Sequence, residues 1–182
     1  MLTKGYTERV LNEFKKFVVQ QSRSRLSKGR KKYGSYNDTK KLYNSIDGKV
    51  SVIKNNAFSL SFFMEDYGKF QDKGVSGTEK KYDTPYSYKS KMPPVEPLAK
   101  WAKRKKLKLR DVKGRFKKNW NKDSSYKTIG FFVARSIQKK GLKPSLFFTK
   151  PFEQAFKKLP DELLQAYGLD VEEFLKFTIK QK

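Results

Sequence analysis

The sequence predicts an α+β fold, in which amphipathic helices pack on a small antiparallel sheet and a basic extended arm or loop is added. Two segments, 10–18 and 129–137, repeat apolar residues at the i, i+3, i+4, i+7 spacing of one helix face. Between them, segments 50–53 and 58–62 alternate apolar and polar residues, as half-buried strands do. We therefore expect both helices to pack on a sheet that contains the two strands.

The first helix is expected from Thr7 to about Leu26, with Thr7 as its N-cap. Its apolar stripe consists of Val10, Leu11, Phe14, Phe17 and Val18. A short helical turn over 42–46 is expected next, and Asp38 or Thr39 is available to cap it.

The two alternating runs predict a β-hairpin, because Asn55 and Asn56 between them tolerate positive φ. Phe58, Leu60 and Phe62 would face the core, covered by the first helix. On this interpretation Leu60 is a core residue, and its replacement by alanine would cost about 2–5 kcal/mol.

Loops and an arm are predicted in the middle of the chain. Residues 65–77 read as a loop or short helix that ends in glycine. Residues 79–94 are polar and rich in Tyr, Ser and Pro, which predicts an extended excursion. Residues 107–120 alternate and are basic around 111–114, so we expect a hairpin arm there.

Proline and glycine mark the remaining helix ends. Helices are expected to begin at or just after Pro97, Pro151 and Pro160, because proline suits the first turn. A helix over 128–140 would end at Gly141, and the one from Pro160 would end at Gly168. A separate last helix would begin at Asp170, which is followed three residues later by Glu173.

Two of these helices have a predicted apolar face, and 146–148 is expected to be a short buried segment. In the helix after Pro97 the face consists of Leu98, Trp101 and Ala102. In the helix over 128–140 it consists of Ile129, Phe132, Val133, Ser136 and Ile137.

Composition excludes several kinds of site. The 182 residues include no His and no Cys, so disulfides, imidazole or thiolate metal sites, and Cys–His or Ser–His–Asp nucleophile systems are ruled out. With 15% aromatic residues the chain is not disordered throughout.

No apolar stretch is long enough to span a membrane, and the N-terminus has no apolar signal core. We therefore expect the protein to stay where it is made.

The charge is strongly positive and unevenly placed. Lys+Arg is 43 against 18 Asp+Glu, a net charge of +25, and most of the cations are lysines. Residues 100–122 carry a net charge of +11, whereas 151–182 carry −1. Lysine excess favours sequence-independent attraction to phosphate or an acidic partner, and simple solubility explains it equally well.

No catalytic constellation is evident. Glu65, Asp66 and Asp72 could gather a divalent cation, but solvated helix ends are the more common use of such residues. Trp101 and Trp120 could stack on single-stranded bases, with core packing the favoured role for Trp101. We expect no metal and no cofactor.

Several motifs in residues 38–159 resemble one family. These are the Leu-x-x-Ser-Ile turn at 42–46, the strand pair at 50–63, the aromatic–glycine run Tyr67-Gly68-Lys69-Phe70 with Gly74, and the segments 98–101, 110–116 and 129–152. Their order is similar to that in the neck and tail-completion proteins of tailed bacteriophages, the group that includes minor tail protein Z of phage lambda. The chain departs from the pattern in the length of 79–94.

The resemblance implies a structural virion protein that forms a ring at the head–tail junction and has no enzymatic activity. Expected partners are further copies of the chain, the neighbouring portal or adaptor and tail proteins, and packaged DNA, with no membrane. The expected locations are the virion and, during assembly, the host cytoplasm. The implied domain spans 1–159, with an arm or loop insertion at about 79–127 and a helical extension at 160–182.

Two sets of residues are candidates for contacts. Tyr82, Tyr86 and Tyr88 suit a subunit interface, because aromatic residues contribute much interface energy; packing on their own domain is the alternative. The residues expected to face DNA or an acidic partner are Lys103, Arg104, Lys105, Lys106, Arg110, Lys113, Arg115, Lys117 and Lys118. The competing interpretation of the same lysines is a basic protein that binds nucleic acid without sequence preference.

Overall fold

The computed structural model describes residues 5–28, 38–53, 57–116 and 122–180. Contacts divide the chain into two compact units. The split unit comprises Met1–Gly68 and Leu146–Lys182, and the inserted unit comprises Lys69–Ser145. The insertion expected from the sequence, at about 79–127, lies inside this second unit.

In its described residues, the split unit contains the sheet and four helices. In chain order these elements are α1 (Gly5–Lys28), α2 (Lys41–Ser45), β1 (Asp47–Val52), β2 (Phe58–Phe63), α6 (Thr149–Phe156) and α7 (Leu159–Lys180). The α+β class predicted from the sequence is confirmed, with a two-stranded antiparallel sheet. No described helix is long and apolar enough to cross a membrane.

The hairpin forms where the alternation predicted it. β1 and β2 pair in antiparallel register, with Val50 opposite Leu60, while Asn55 and Asn56 lie outside the described residues. Leu60 and Phe62 are partly buried against the core rather than inside it. The expected loss for Leu60→Ala therefore falls to the lower end of the core range, about 2 kcal/mol.

Two apolar clusters hold the split unit together. Phe147, Leu26 and Ile46 are fully buried in the first, which also contains Leu42. The second is centred on Phe14, Val18 and Leu159. It includes an aromatic group in edge-on and stacked contact, formed by Phe14, Phe62, Phe148 and Phe152. The stripe predicted on α1 is confirmed except at Phe17, which is 43% exposed.

The predicted ends of two helices are wrong. α1 begins at Gly5, so Thr7 lies in the first turn and is not its N-cap. The N-cap position of α2 is Lys40, at φ 56° and with no side-chain capping hydrogen bond, so neither Asp38 nor Thr39 occupies that position.

The break predicted in the C-terminal region is also wrong, because α7 runs through Gly168 and Asp170 without interruption. Gly168 is exposed in the middle of the helix. The helix continues past it because Ala166 and Asp170 are buried on either side, and α7 packs along α1.

The inserted unit is built on two helices, α4 (Val95–Arg104) and α5 (Lys122–Lys140), and most of the short helix α3 (Gly68–Lys73) belongs to it. α5 packs on α4 and not on the sheet, which corrects the expected partner of the 129–137 helix. A Cβ at Gly130 would lie 2.8 Å from the backbone nitrogen of Ala99, so the two helices approach closely at this glycine.

This close approach decides which face of α5 is buried. Ile129, Gly130 and Ala134 are buried, whereas Phe132 is 58% exposed and Ser136 is exposed. The prediction that Phe132 and Ser136 face the core is wrong, since the small residues turn towards α4.

The loops of the inserted unit form backbone hydrogen bonds within that unit. The segment 79–94 contains no helix or strand, as predicted, but its Tyr86 and Tyr88 exchange backbone hydrogen bonds with Ser76 at 2.8 Å. Val75 pairs with Leu142 in the same way, just beyond the helix-ending Gly141 at φ +69°.

Candidate interaction surfaces

A run of basic residues is exposed where α4 ends. Lys103, Arg104, Lys105 and Lys106 are all exposed. The helix stops there because Lys106 has φ 51° and the N–H of Leu107 donates to the carbonyl of Ala102 at 3.0 Å.

The turn after α4 is organised by Asp111. One oxygen of this carboxylate, Oδ1, accepts the backbone N–H groups of Lys113 at 2.9 Å and Arg115 at 2.8 Å. Gly114 provides the positive φ of 78°, and Arg110 pairs with Phe116 in an antiparallel bridge. A tight turn therefore lies in the middle of the hairpin arm expected over 107–120, of which residues 117–120 lie outside the described residues.

Aromatic and backbone contacts fix the orientation of Arg110. Its guanidinium lies 4.3 Å from the centre of the Phe116 ring, and its Nη1 donates to the carbonyl of Gly114 at 2.8 Å. The guanidinium therefore lies on the ring face, a contact that contributes about 0.5–1 kcal/mol at an exposed site.

The basic segment, residues 100–116, runs from the end of α4 through the turn and contains most of the predicted cations. Seven of the nine are exposed within the described residues, and Lys117 and Lys118 lie outside them. Ion pairs of this segment include Lys103–Asp123 and Arg115–Asp111 at 3.3 Å and Lys100–Glu96 at 3.9 Å. The whole inserted unit has 23 basic and six acidic residues, a net charge of +17.

The three candidate tyrosines are half-buried in the inserted unit. The Tyr86 ring lies edge-on to Phe70 at 4.8 Å, and the N–H of Tyr82 donates to Oγ of Ser76 at 2.9 Å. Burial raises the pKa of Tyr88 above its ordinary value. These residues therefore pack partly on their own unit, and their part in a subunit interface stays a prediction.

The acidic residues considered for a metal have other contacts. Glu65 lies 3.1 Å from Lys41, and Asp72 is buried at 4% exposure. Across the described ranges, no three His, Cys, Asp or Glu residues cluster as a metal site would require.

An open apolar groove in the split unit was not predicted from the sequence. Its volume is about 460 Å³, and none of its lining residues is charged. They come from α1, β2, α6 and α7, and they include Leu11, Phe14, Phe58, Leu60, Phe62, Phe156 and Tyr167. Each residue looks like ordinary core in its own helix or strand, so no local pattern could have found a groove that forms where four elements meet.

One buried carboxylate joins two walls of this groove. Oδ1 of Asp170 on α7 accepts the N–H of Tyr6 at 3.0 Å. Oδ2 accepts the N–H of Thr7 at 3.0 Å and the Thr7 hydroxyl at 2.6 Å. Burial raises the pKa of Asp170, but the hydrogen bonds from Thr7 and Tyr6 outweigh it, so the pKa lies below its ordinary value. Asp170 therefore caps α1 from another helix.

Comparison with known proteins gives no relative, since no family model, no curated protein and no solved structure matches the chain.

Proposed function

We propose that the chain is a structural virion protein of a tailed bacteriophage, which forms a ring at the head–tail junction and has no enzymatic activity. Its partners in this proposal are further copies of itself, the neighbouring portal or adaptor proteins, and the tail proteins.

The order of elements carries the proposal. The motifs that resemble the neck and tail-completion family form consecutive elements: the turn at 42–46 overlaps α2, the strand pair is β1–β2, and the aromatic–glycine run overlaps the start of α3. Gly74 follows α3 at φ +76°, where a glycine is favoured. The segment from Phe147 into α6 then returns to the split unit. The family resemblance predicts a turn, then a strand pair, then an aromatic–glycine loop. The elements follow one another in that order, which supports the proposal.

Two unlike surfaces add physical support. The inserted unit carries a net charge of +17, whereas the split unit has an uncharged apolar groove. A ring requires a heterologous interface, in which one surface of a subunit meets a different surface of the next. The two surfaces differ, as a heterologous interface requires, but each needs its own partner, because the uncharged groove cannot pair with a positively charged surface.

The second candidate is a protein that binds nucleic acid without sequence preference. The exposed basic segment favours it, because lysine-rich surfaces attract phosphate backbones by releasing counterions. Salt-sensitive DNA binding by the free protein would distinguish this candidate from a ring subunit that binds DNA weakly.

The ring proposal is tested by removing the gene from the encoding phage. We expect the mutant lysate to contain separate DNA-filled heads and tails, and we expect purified protein to join them in vitro. Electron microscopy of wild-type virions should locate the subunit at the junction. Normal virions from the mutant, or absence of the protein from wild-type virions by mass spectrometry, would exclude the proposal.

A further inference from the structure

Strand β2 has a free hydrogen-bonding edge. In an antiparallel pair, the N–H and C=O groups of alternate residues point towards the partner strand, and those between point away. Ile53 donates its N–H to the carbonyl of Ala57 at 2.7 Å, and the strands pair without interruption from there. The backbone groups of Phe58, Leu60 and Phe62 therefore point away from β1. In the part of the chain that the structure describes, these groups have no hydrogen-bond partner.

The other edge of the sheet is partly occupied. The N–H of Gly48 donates to Oδ1 of Asp47 at 2.8 Å, and the carbonyl of Ile46 accepts Nη2 of Arg23 at 2.8 Å. A Cβ at Gly48 would lie 2.7 Å from Cγ of Lys15, so α1 crowds this end of β1. A further strand thus has better access to β2 than to β1.

The apolar groove lies on the same face as the side chains of the free-edge residues. Phe58, Leu60 and Phe62 line it, and Phe156 of α6 is 50% exposed beside them. A strand added to β2 would run about 4.8 Å away from it and would direct alternate side chains to this face. The groove would receive those side chains, and because it holds no charged residue they must be apolar.

We propose that the β2 edge and the groove form one binding site for an extended segment of another protein chain, with apolar residues at alternate positions. Main-chain hydrogen bonds to Phe58, Leu60 and Phe62 supply part of the affinity, and the groove selects the side chains. The site is contained in the split unit and does not depend on the ring proposal.

Amide hydrogen exchange, followed by NMR on the full chain, tests the edge directly. In the free protein we expect the amides of Phe58, Leu60 and Phe62 to exchange faster than those of Ser59 and Ser61, which point towards β1. The probe is a capped synthetic peptide, Lys-Thr-Val-Thr-Leu-Thr-Val-Thr-Lys. At saturation it should slow the three edge amides about tenfold or more, while a peptide of the same composition with its apolar residues grouped at one end should not.

A matched pair of variants tests the groove. Phe156→Glu places a charge in the groove, whereas Phe63→Glu places one on the opposite face of β2, and the two side chains are similarly exposed, at 50% and 54%. We expect Phe156→Glu to weaken peptide binding about tenfold or more and Phe63→Glu to change it less than about twofold.

Several outcomes would overturn the proposal: edge amides already protected in the free protein, no binding of the alternating peptide, binding without slower exchange on β2, or equal effects of the two variants. Slower exchange of the edge amides at rising protein concentration, without peptide, would identify a second copy of the chain as the natural donor. Absence of the protein from virions would end the ring proposal and leave this one standing.

Discussion

At the residue scale, Asp170 connects the two ends of the chain. Its sequence context, an acid followed three residues later by Glu173, is that of a local helix cap. It instead accepts three hydrogen bonds from Tyr6 and Thr7, at sequence separations of 163 and 164 residues. The first turn of α1 is thereby satisfied by a side chain that no local pattern relates to it.

We expect Asp170→Ala to lower the free energy of unfolding by about 2–4 kcal/mol, because it leaves buried donors of Tyr6 and Thr7 unpaired. Gln165→Ala is the control, as an exposed change on the same helix, and should stay within about 0.5 kcal/mol. Urea denaturation followed by circular dichroism measures both. An equal effect of the two changes would contradict a capping role.

The same carboxylate makes this contribution dependent on pH. The folded-state pKa of Asp170 is lower than its ordinary value, so its ionisation stabilises the folded state above that value. The contribution is lost as the pH falls through the folded-state pKa. The difference in stability between the wild type and Asp170→Ala should therefore be greatest near neutral pH and should shrink in acid.

At the element scale, Gly168 and Gly130 form a natural comparison, since each lies inside a long helix. A Cβ at Gly168 would meet no atom within 4 Å, whereas one at Gly130 would lie 2.8 Å from the nitrogen of Ala99 and 2.9 Å from the oxygen of Val95. We expect Gly168→Ala to stabilise the protein by about 0.5–1 kcal/mol. We expect Gly130→Ala to destabilise it by about 1–3 kcal/mol. Thermal unfolding measures both, and a destabilising Gly168→Ala would mean that α7 is broken there.

The elements predicted well from the sequence are those whose pattern is local. The alternation that gives β1 and β2, and the positive φ of Gly141, follow from neighbouring residues alone. Elements that depend on a distant partner were missed. α7 passes through Gly168 because α1 packs alongside it, and α5 turns Gly130 inward because α4 approaches there.

The candidate contact residues were only partly predictable, for the same reason. Positive charge is a property of each side chain, so the exposed basic segment could be anticipated from its lysines and arginines. The half-burial of Tyr86 against Phe70 and the groove beside Leu60 depend on how distant segments fold back. No spacing in the sequence encodes those contacts.

At the scale of the whole molecule, the charge is concentrated in one unit. The inserted unit holds +17 of the total +25, although it contains fewer than half of the residues. A diffuse field from lysines favours a polyanionic or acidic partner over the reading of bases. If the charge only kept the protein soluble, removing it from either unit would have the same effect. Removing charge from one unit at a time therefore distinguishes a binding role from solubility.

We expect replacement of four lysines of the inserted unit by glutamine to weaken binding to duplex DNA about equally for all sequences. The variant changes Lys103, Lys105, Lys106 and Lys113, all of which are exposed. The slope of log affinity against log salt should become shallower by about 0.9 for each lost phosphate contact.

The control removes the same charge from exposed lysines of the split unit, Lys16, Lys49, Lys157 and Lys158, and should change the slope much less. If both variants bind poorly from the start but only the first fails to join heads to tails, the partner is an acidic protein surface and not DNA. If both variants match the wild type in DNA binding and in joining, the charge serves solubility alone and the prediction is wrong.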